Sequence, residues 1–201
     1  MTSISGVIND YAKVTAVNNT GCPATITVDN ASSFSAGQKI LLIQMKGATI
    51  ETGNNANFGN ITNYNGAGDY EIVQIDMVMG NVLTLATGLR NNYDPAGFVQ
   101  AVTVPEYQNA EVTGLLTCDE WDGDKGGVLI FEVADTLRLS EEINVSAKGF
   151  RGGGASNPVV ISCQTSTDYV TNTGSEGIKG EGIATNGNDR SRGHLANGGG
   201  G

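Results

Sequence analysis

Between Leu129 and Lys148 apolar and polar residues alternate with a period of two. Leu129, Phe131, Val133, Leu137, Leu139, Ile143, Val145 and Ala147 take the odd positions. Glu132, Thr136, Arg138, Ser140, Glu142, Asn144, Ser146 and Lys148 take the even ones. Successive residues of a strand point to opposite faces, so the pattern predicts one face laid on a core and the other turned to water. Asp135 and the Ser140-Glu141 pair interrupt the apolar run without losing register, which predicts short strands bent round corners. Such a coil of short strands is a solenoid rung, and one rung cannot bury its own apolar face; a neighbouring rung has to cover it.

The rest of the chain carries the same signature. Its 201 residues include 29 glycines and only 16% charged residues, a composition that disfavours long helices and favours strands joined by turns. The predicted fold class is all-β. Residues 1–98 read as a β-barrel-like module, with strand-like "ATITVDN" and "KILLIQM" and a hairpin "YEIVQIDMVMGNVLTLATGL" turning at Gly80-Asn81. Residues 99–150 read as β-solenoid rungs, a first one using Val102, Val104, Val112, Leu115 and Leu116. Residues 151–201 form a glycine-rich segment, read as the start of packed polyglycine II-like helices between whose backbones only glycine fits. A disordered linker is the alternative, but linkers usually mix serine freely with glycine. The terminal "ANGGGG" and the absence of an export signal after Met1 lead to the expectation of a fragment of a longer chain, begun by a cloning methionine.

Charge excludes some partners. A net charge of −10 and the scarcity of clustered Lys and Arg argue against nucleic acid and against anionic membrane surfaces. No stretch approaches the roughly 20 apolar residues of a membrane span, so no membrane insertion is expected.

Candidate sites are few. The long polar stretch from Gly47 to Asp69 is the expected binding surface for a glycan or a partner surface, through Asn54, Asn55, Asn57, Asn60, Asn63, Tyr64 and Asn65. Asp119, Asp122 and Asp124 around Trp121 could gather Ca²⁺, although "DEWDGDKGG" lacks the spacing of an EF-hand; a solvated acidic turn is the plainer reading. Trp121 is expected to cap the end of a rung. Cys22, Cys118 and Cys163 have no metal-ligand spacing, and a Cys118–Cys163 disulfide is the preferred pairing because both flank the rung. His194 has no nucleophile signature beside it, and Glu106, Glu111, Asp119 and Glu120 are the carboxylates from which a glycosidase pair would have to come. "GFRGGG" precedes Pro158 and β-branched residues instead of a helix, so it is read as a sharp exit from the rung, with Phe150 covering the stack and Arg151 solvated or salt-bridged, and not as a phosphate loop. No catalytic residue and no cofactor is predicted.

"LLIQMKGATI", "FGNITNYNGAGDYE", "LRNNYDPAGFVQAVTVPEY", "AKGFRGGG", "KGEGI" and "RGHLANGGGG" together resemble the N-terminal region of large, type IX-secreted, gliding-adhesin-like surface proteins of Bacteroidota. "KGFRGG" junctions are similar to those of phage tail-fibre and bacterial fibre proteins. The resemblance implies an extracellular, cell-surface structural or adhesive module, taking part in attachment or filament formation and not in catalysis. Two alternatives stand beside it: a carbohydrate-active β-helix enzyme, and a module recognised by an outer-membrane secretion partner.

Overall fold

The computed structural model describes residues 1–154, Tyr169 and residues 179–184. Eleven strands lie among them: β1 (Thr2–Val7), β2 (Tyr11–Asn18), β3 (Thr25–Val28), β4 (Lys39–Gln44), β5 (Thr49–Ile50), β6 (Ile61–Asn63), β7 (Tyr70–Met79), β8 (Val82–Leu85), β9 (Val99–Val104), β10 (Glu106–Thr117) and β11 (Glu132–Leu139). The one helical piece described is a 3-10 turn at Pro95–Gly97, capped by the Asp94 side chain. The fold is all-β. No described helix is long and apolar enough to cross a membrane.

Six strands pair antiparallel in the ring β2-β3-β8-β7-β4-β9, and the β9–β2 ladder closes it into a barrel. Alternation works here as it does in any closed sheet. Val14, Ile26, Val28, Ile40, Leu42, Val73, Ile75, Leu83, Leu85, Val99 and Ala101 point inward to one core. β4 and β9 depart from simple alternation because they are covered on both sides. Leu41, Val102 and Val104 face outward, where Tyr11, Ile43, Val128 and Ile130 pack over them.

The second assembly is a parallel stack in the order β1-β10-β11. Its register sets up columns. Ile4 lies beside Val112 and Val112 beside Leu139; Ala110 lies beside Leu137; Gly6 lies beside Leu116, and an isolated parallel bridge adds Ile143 to that column. Twenty-seven residues separate Ala110 from Leu137, one layer of the stack. Ile4, Ala110, Val112 and Leu116 form the buried centre, with Ile8, Tyr107, Leu129, Phe131 and Val133 packed against it. Outside the core, Ser3 and Thr113 hydroxyls meet across the first step.

This arrangement corrects the expected boundaries. β9 (Val99–Val104) belongs to the barrel, so Val102 and Val104 are not part of a rung, and residue 98 divides nothing. β1, assigned to the N-terminal module by sequence, belongs to the parallel stack instead. The barrel is therefore inserted between the first and second strands of the stack. The segment before β11 also differs from a one-faced strand: Leu129 and Phe131 pack on the stack while Val128 and Ile130 pack on the barrel, so both parities are apolar there. That double-faced segment makes the two assemblies one continuous body. Asn9 reinforces it, its side-chain amide donating to the carbonyls of Thr103 (2.8 Å) and Ile130 (2.6 Å).

Among the described residues nothing covers the last layer. Val112 is fully buried, yet Leu139 above it is 61% exposed, and Leu137, Ile143 and Val145 are exposed too. The expectation that a neighbouring rung roofs this apolar face therefore fails for β11. Among the described residues no strand pairs with its outer edge.

Candidate functional site

The Asn-rich loop folds back as β5 and β6 with Phe58 buried beneath it. Many of its side-chain amides serve the loop itself. Asn55 Oδ1 accepts from the backbone N–H of Asn57 (2.8 Å) and Asn63 Oδ1 from that of Asn65 (3.0 Å), the short-range turn bonds that Asn favours. Asn65 Nδ2 donates to the Gly47 carbonyl (3.1 Å), and Asn54 Oδ1 accepts from the Tyr169 N–H (2.6 Å). Asn60 gives its carbonyl to the Glu51 N–H (2.9 Å). Tyr64 stays exposed, as does Tyr70 at the start of β7. The predicted binding residues are thus neighbours, but several are committed to loop structure.

Asp119, Asp122 and Asp124 do not converge on a cation. Among the described residues no group of three or more acidic, His or Cys side chains could hold a metal ion. Asp122 Oδ1 caps its own turn, accepting from the N–H groups of Asp124 (2.8 Å) and Lys125 (2.9 Å). Burial opposes its ionisation, but the N–H groups of Lys125 and Asp124 outweigh it and hold the carboxyl below the usual range. Asp124 pairs with Lys13 (2.6 Å), and the neighbouring Lys125 pairs with Asp29 (2.6 Å), so the turn is stapled to the barrel by ions. Beside it lies a cleft of about 220 Å³ lined by Asn9, Asp10, Tyr11, Asp119, Glu120 and Lys125. Burial, with Cys118 and Asp119 close by, pushes the Tyr11 hydroxyl upward, and that hydroxyl donates to the Val128 carbonyl (2.6 Å). Cys118 is a buried free thiol, its ionisation suppressed by that burial, and Cys22 is an exposed one. Cys163, the other half of the predicted disulfide, lies outside the described residues, as do His194 and most of the glycine-rich segment.

One pair of carboxylates does meet. Glu106 and Glu132 are register partners on β10 and β11, and Lys39 of β4 binds both, at 2.8 and 2.7 Å. Their bound oxygens therefore lie at most about 5.5 Å apart, within reach of the separation of retaining glycosidases. Clefts of about 410 and 390 Å³ open beside the cluster, both lined in part by Glu106. The ammonium, however, sits between the two acids, where a glycosidic bond would have to lie. Glu111, further along β10, accepts from Ser140 Oγ (2.7 Å) and lies 3.6 Å from Arg138.

Among the described residues the most enclosed charged group is Lys46, which sequence reasoning missed. It follows β4, is buried, and aims its ammonium into three rings: Phe98 at 4.7 Å, Trp121 at 5.4 Å and Phe150 at 5.4 Å from the centroids. Such a cation–π cage stabilises a charge that burial would otherwise penalise. Phe98 is held at φ 59°, a strained conformation for a bulky residue, and this places its ring in the cage. Gln44, fully buried, fixes the loops behind it: its Nε2 donates to the carbonyls of Lys46 (2.9 Å) and Asn65 (2.8 Å), and its Oε1 accepts from the Asp94 N–H (2.9 Å). Gln100 joins the same junction to the acidic turn through both amide atoms, to the N–H (2.8 Å) and carbonyl (3.1 Å) of Gly126. Trp121, predicted to cap a rung, instead fills this barrel–stack junction, with Phe150 edge-on at 5.5 Å. Of the two expectations for Arg151, solvated or salt-bridged, the structure shows an ion pair, with Glu181 (2.8 Å). The sequence marks Trp121, Phe150, Arg151 and "KGEGI" separately, but nothing in it marks Lys46, the residue that joins them.

No family model and no curated protein matches the chain. Two solved structures are similar to parts of it. The gp54 tailspike of the Acinetobacter baumannii bacteriophage AP22, determined in complex with A. baumannii capsular saccharide, is 14% identical over 65% of this chain and 23% of its own, with a TM-score of 0.35. The gp49 tailspike of Pseudomonas phage LKA1 is 15% identical over 58% of this chain and 20% of its own, with a TM-score of 0.29. The chain thus spans less than a quarter of either tailspike.

Proposed function

We propose that this chain is a non-catalytic structural module that seeds a parallel β-solenoid in an extracellular surface protein of the adhesin kind its motifs resemble. The observation that carries the reading is the uncovered final layer. Leu137, Leu139 and Ile143 continue the buried columns of Ala110, Val112 and Leu116, yet face solvent. Among the described residues nothing pairs with that parallel edge, and monomeric proteins seldom leave a contiguous apolar row beside such an edge unless another polypeptide layer belongs there. In this reading the barrel is the bulky base, the stack is the seed, and Val128 and Ile130 transmit rigidity between them. Amide hydrogen exchange tests it: β10 should exchange at the rate of global unfolding, and the outer edge of β11 orders of magnitude faster. Equal protection of both would show that the edge is already occupied.

A second reading, carbohydrate recognition or cleavage, is favoured by the Glu106–Lys39–Glu132 cluster beside its two clefts. A glycan array followed by a hydrolysis assay on any saccharide retained would decide it. Retention or turnover lost in both Glu106→Gln and Glu132→Gln would favour this reading over the structural one.

A further inference from the structure

The motif Lys179-Gly180-Glu181-Gly182-Ile183 lies on the barrel–stack junction, and its contacts are those of a recognised ligand. Glu181 is grasped from two sides. Arg151 donates from Nε (3.0 Å), Nη2 (2.8 Å) and its backbone N–H (3.1 Å), and Lys46 Nζ lies 3.1 Å from Oε1. This forked geometry reads a carboxylate and rejects an amide. The main chain is read as well. The Glu181 N–H donates to the Arg151 carbonyl (2.8 Å), and the Ile183 carbonyl accepts from the N–H groups of Gly47 (2.9 Å) and Ala48 (3.1 Å). Ala184 then continues as a parallel bridge to Ala48. Backbone bonds supply affinity here and one anchored side chain supplies identity, the two ingredients of peptide recognition.

The flanking glycines complete the code. A Cβ on Gly180 would lie 3.1 Å from the Arg151 carbonyl oxygen, 3.1 Å from the Gly153 nitrogen and 3.3 Å from the Gly152 Cα, all of them backbone that cannot swing aside. Gly182 is buried. The receiving surface, by contrast, comes from the body of the protein: Lys46 in its aromatic cage, Gly47, Ala48, and Arg151, whose guanidinium packs over Gly123.

We infer that this surface is a recognition site for a Gly-Glu-Gly-Ile segment, filled in the single chain by its own motif and able to take the same motif from a second copy. Every copy carries both the site and its ligand, the condition for exchange of an identical element between protomers. The inference goes beyond the solenoid reading, because it uses neither β11 nor the open layer, and it stands or falls separately.

Trp121, the sole tryptophan, lies in the cage and reports on occupancy. Two full-length variants divide the interaction. Glu181→Gln keeps the site and cripples the ligand; Arg151→Gln, at an exposed side chain, keeps the ligand and cripples the site. Where Glu181→Gln fails to fold, Glu181→Asp replaces it. Titrating Glu181→Gln protein with the synthetic peptide Ile-Lys-Gly-Glu-Gly-Ile-Ala-Thr should give a saturable change in Trp121 fluorescence. Peptides carrying G180A or E181Q should bind at least tenfold more weakly. Mixed at about 100 µM, the two variants should show a dimer mass by light scattering, whereas each alone stays monomeric. A titration that does not saturate, or a G180A peptide that binds as well as its parent, overturns the recognition site; a mixture that stays monomeric overturns the exchange.

Discussion

Truncating the same column at two heights separates a covered layer from an open one. Val112 is fully buried between Ile4 and Leu139, so Val112→Ala removes two methyl carbons from water-free surroundings. At about 0.8 kcal/mol per carbon, with a cavity left behind, the loss is roughly 2–3 kcal/mol. Leu139 is a larger side chain but 61% exposed, so only about two-fifths of a leucine's usual 1.5–3 kcal/mol is at stake, roughly 1 kcal/mol or less. At about 2–4 °C per kcal/mol for a chain of this size, Val112→Ala should lower Tm by some 5–10 °C and Leu139→Ala by no more than about 4 °C. Urea unfolding followed by circular dichroism gives both free energies, and an unchanged slope shows that the mutants unfold as the parent does. Leu139→Lys should fold and Val112→Lys should not. If Leu139→Ala costs as much as Val112→Ala, the final layer is covered in solution and the seeding argument is refuted.

Gln44→Leu keeps the volume but strands the buried Lys46 carbonyl and loses the part-buried bonds to the Asn65 carbonyl and the Asp94 N–H; a loss of about 2–3 kcal/mol by denaturant titration is expected, and one below 1 kcal/mol would show those groups re-paired. Gly97→Ala should be at least as damaging, because its Cβ would lie 2.3 Å from Gln44 Nε2 and 2.6 Å from the Lys46 carbonyl oxygen; purified yield and Tm check it. Arg151, hydrogen-bonded through its side chain and backbone N–H, and Lys46 hold the Glu181 carboxyl down at about 2 against an ordinary 4.5, so its contribution is whole above pH 4.5 and is lost as pH falls towards 2. Trp121 fluorescence should show a transition in that window that is missing in Glu181→Gln, and identical acid profiles would contradict the assignment.

The strands that sequence located best are those with one wet face. Leu137, Leu139 and Ile143 do continue the columns of Ala110, Val112 and Leu116, because only that side of β11 faces the stack, although they themselves stay exposed. β9 misled because it has two: Val99 and Ala101 look into the barrel while Val102 and Val104 look towards the stack, and a run buried on both sides carries no period to read. Pairing between Thr2 and Ala110 was beyond reach, since a parallel ladder across a whole inserted barrel leaves no local mark. The site fared similarly. Asn and Asp residues attract attention as ligands, but at Asn55, Asn63 and Asp122 the same chemistry closes turns. Lys46 was invisible because its cage draws one ring from beyond β4, one from the acidic turn and one from the exit of the stack.

Inserting a barrel between β1 and β10 also fixes an order of events during synthesis. At roughly 5–20 residues per second, β1 leaves the ribosome some 5–20 s before the strand it must lie against, since more than a hundred residues separate Thr2 from its partner Ala110. Loop closure on that scale is slow unless the intervening chain has already condensed. Until the barrel has folded and drawn its two ends together, the strand Thr2–Val7 is an uncharged, unpaired ribbon, the natural place for a chaperone to hold the nascent chain.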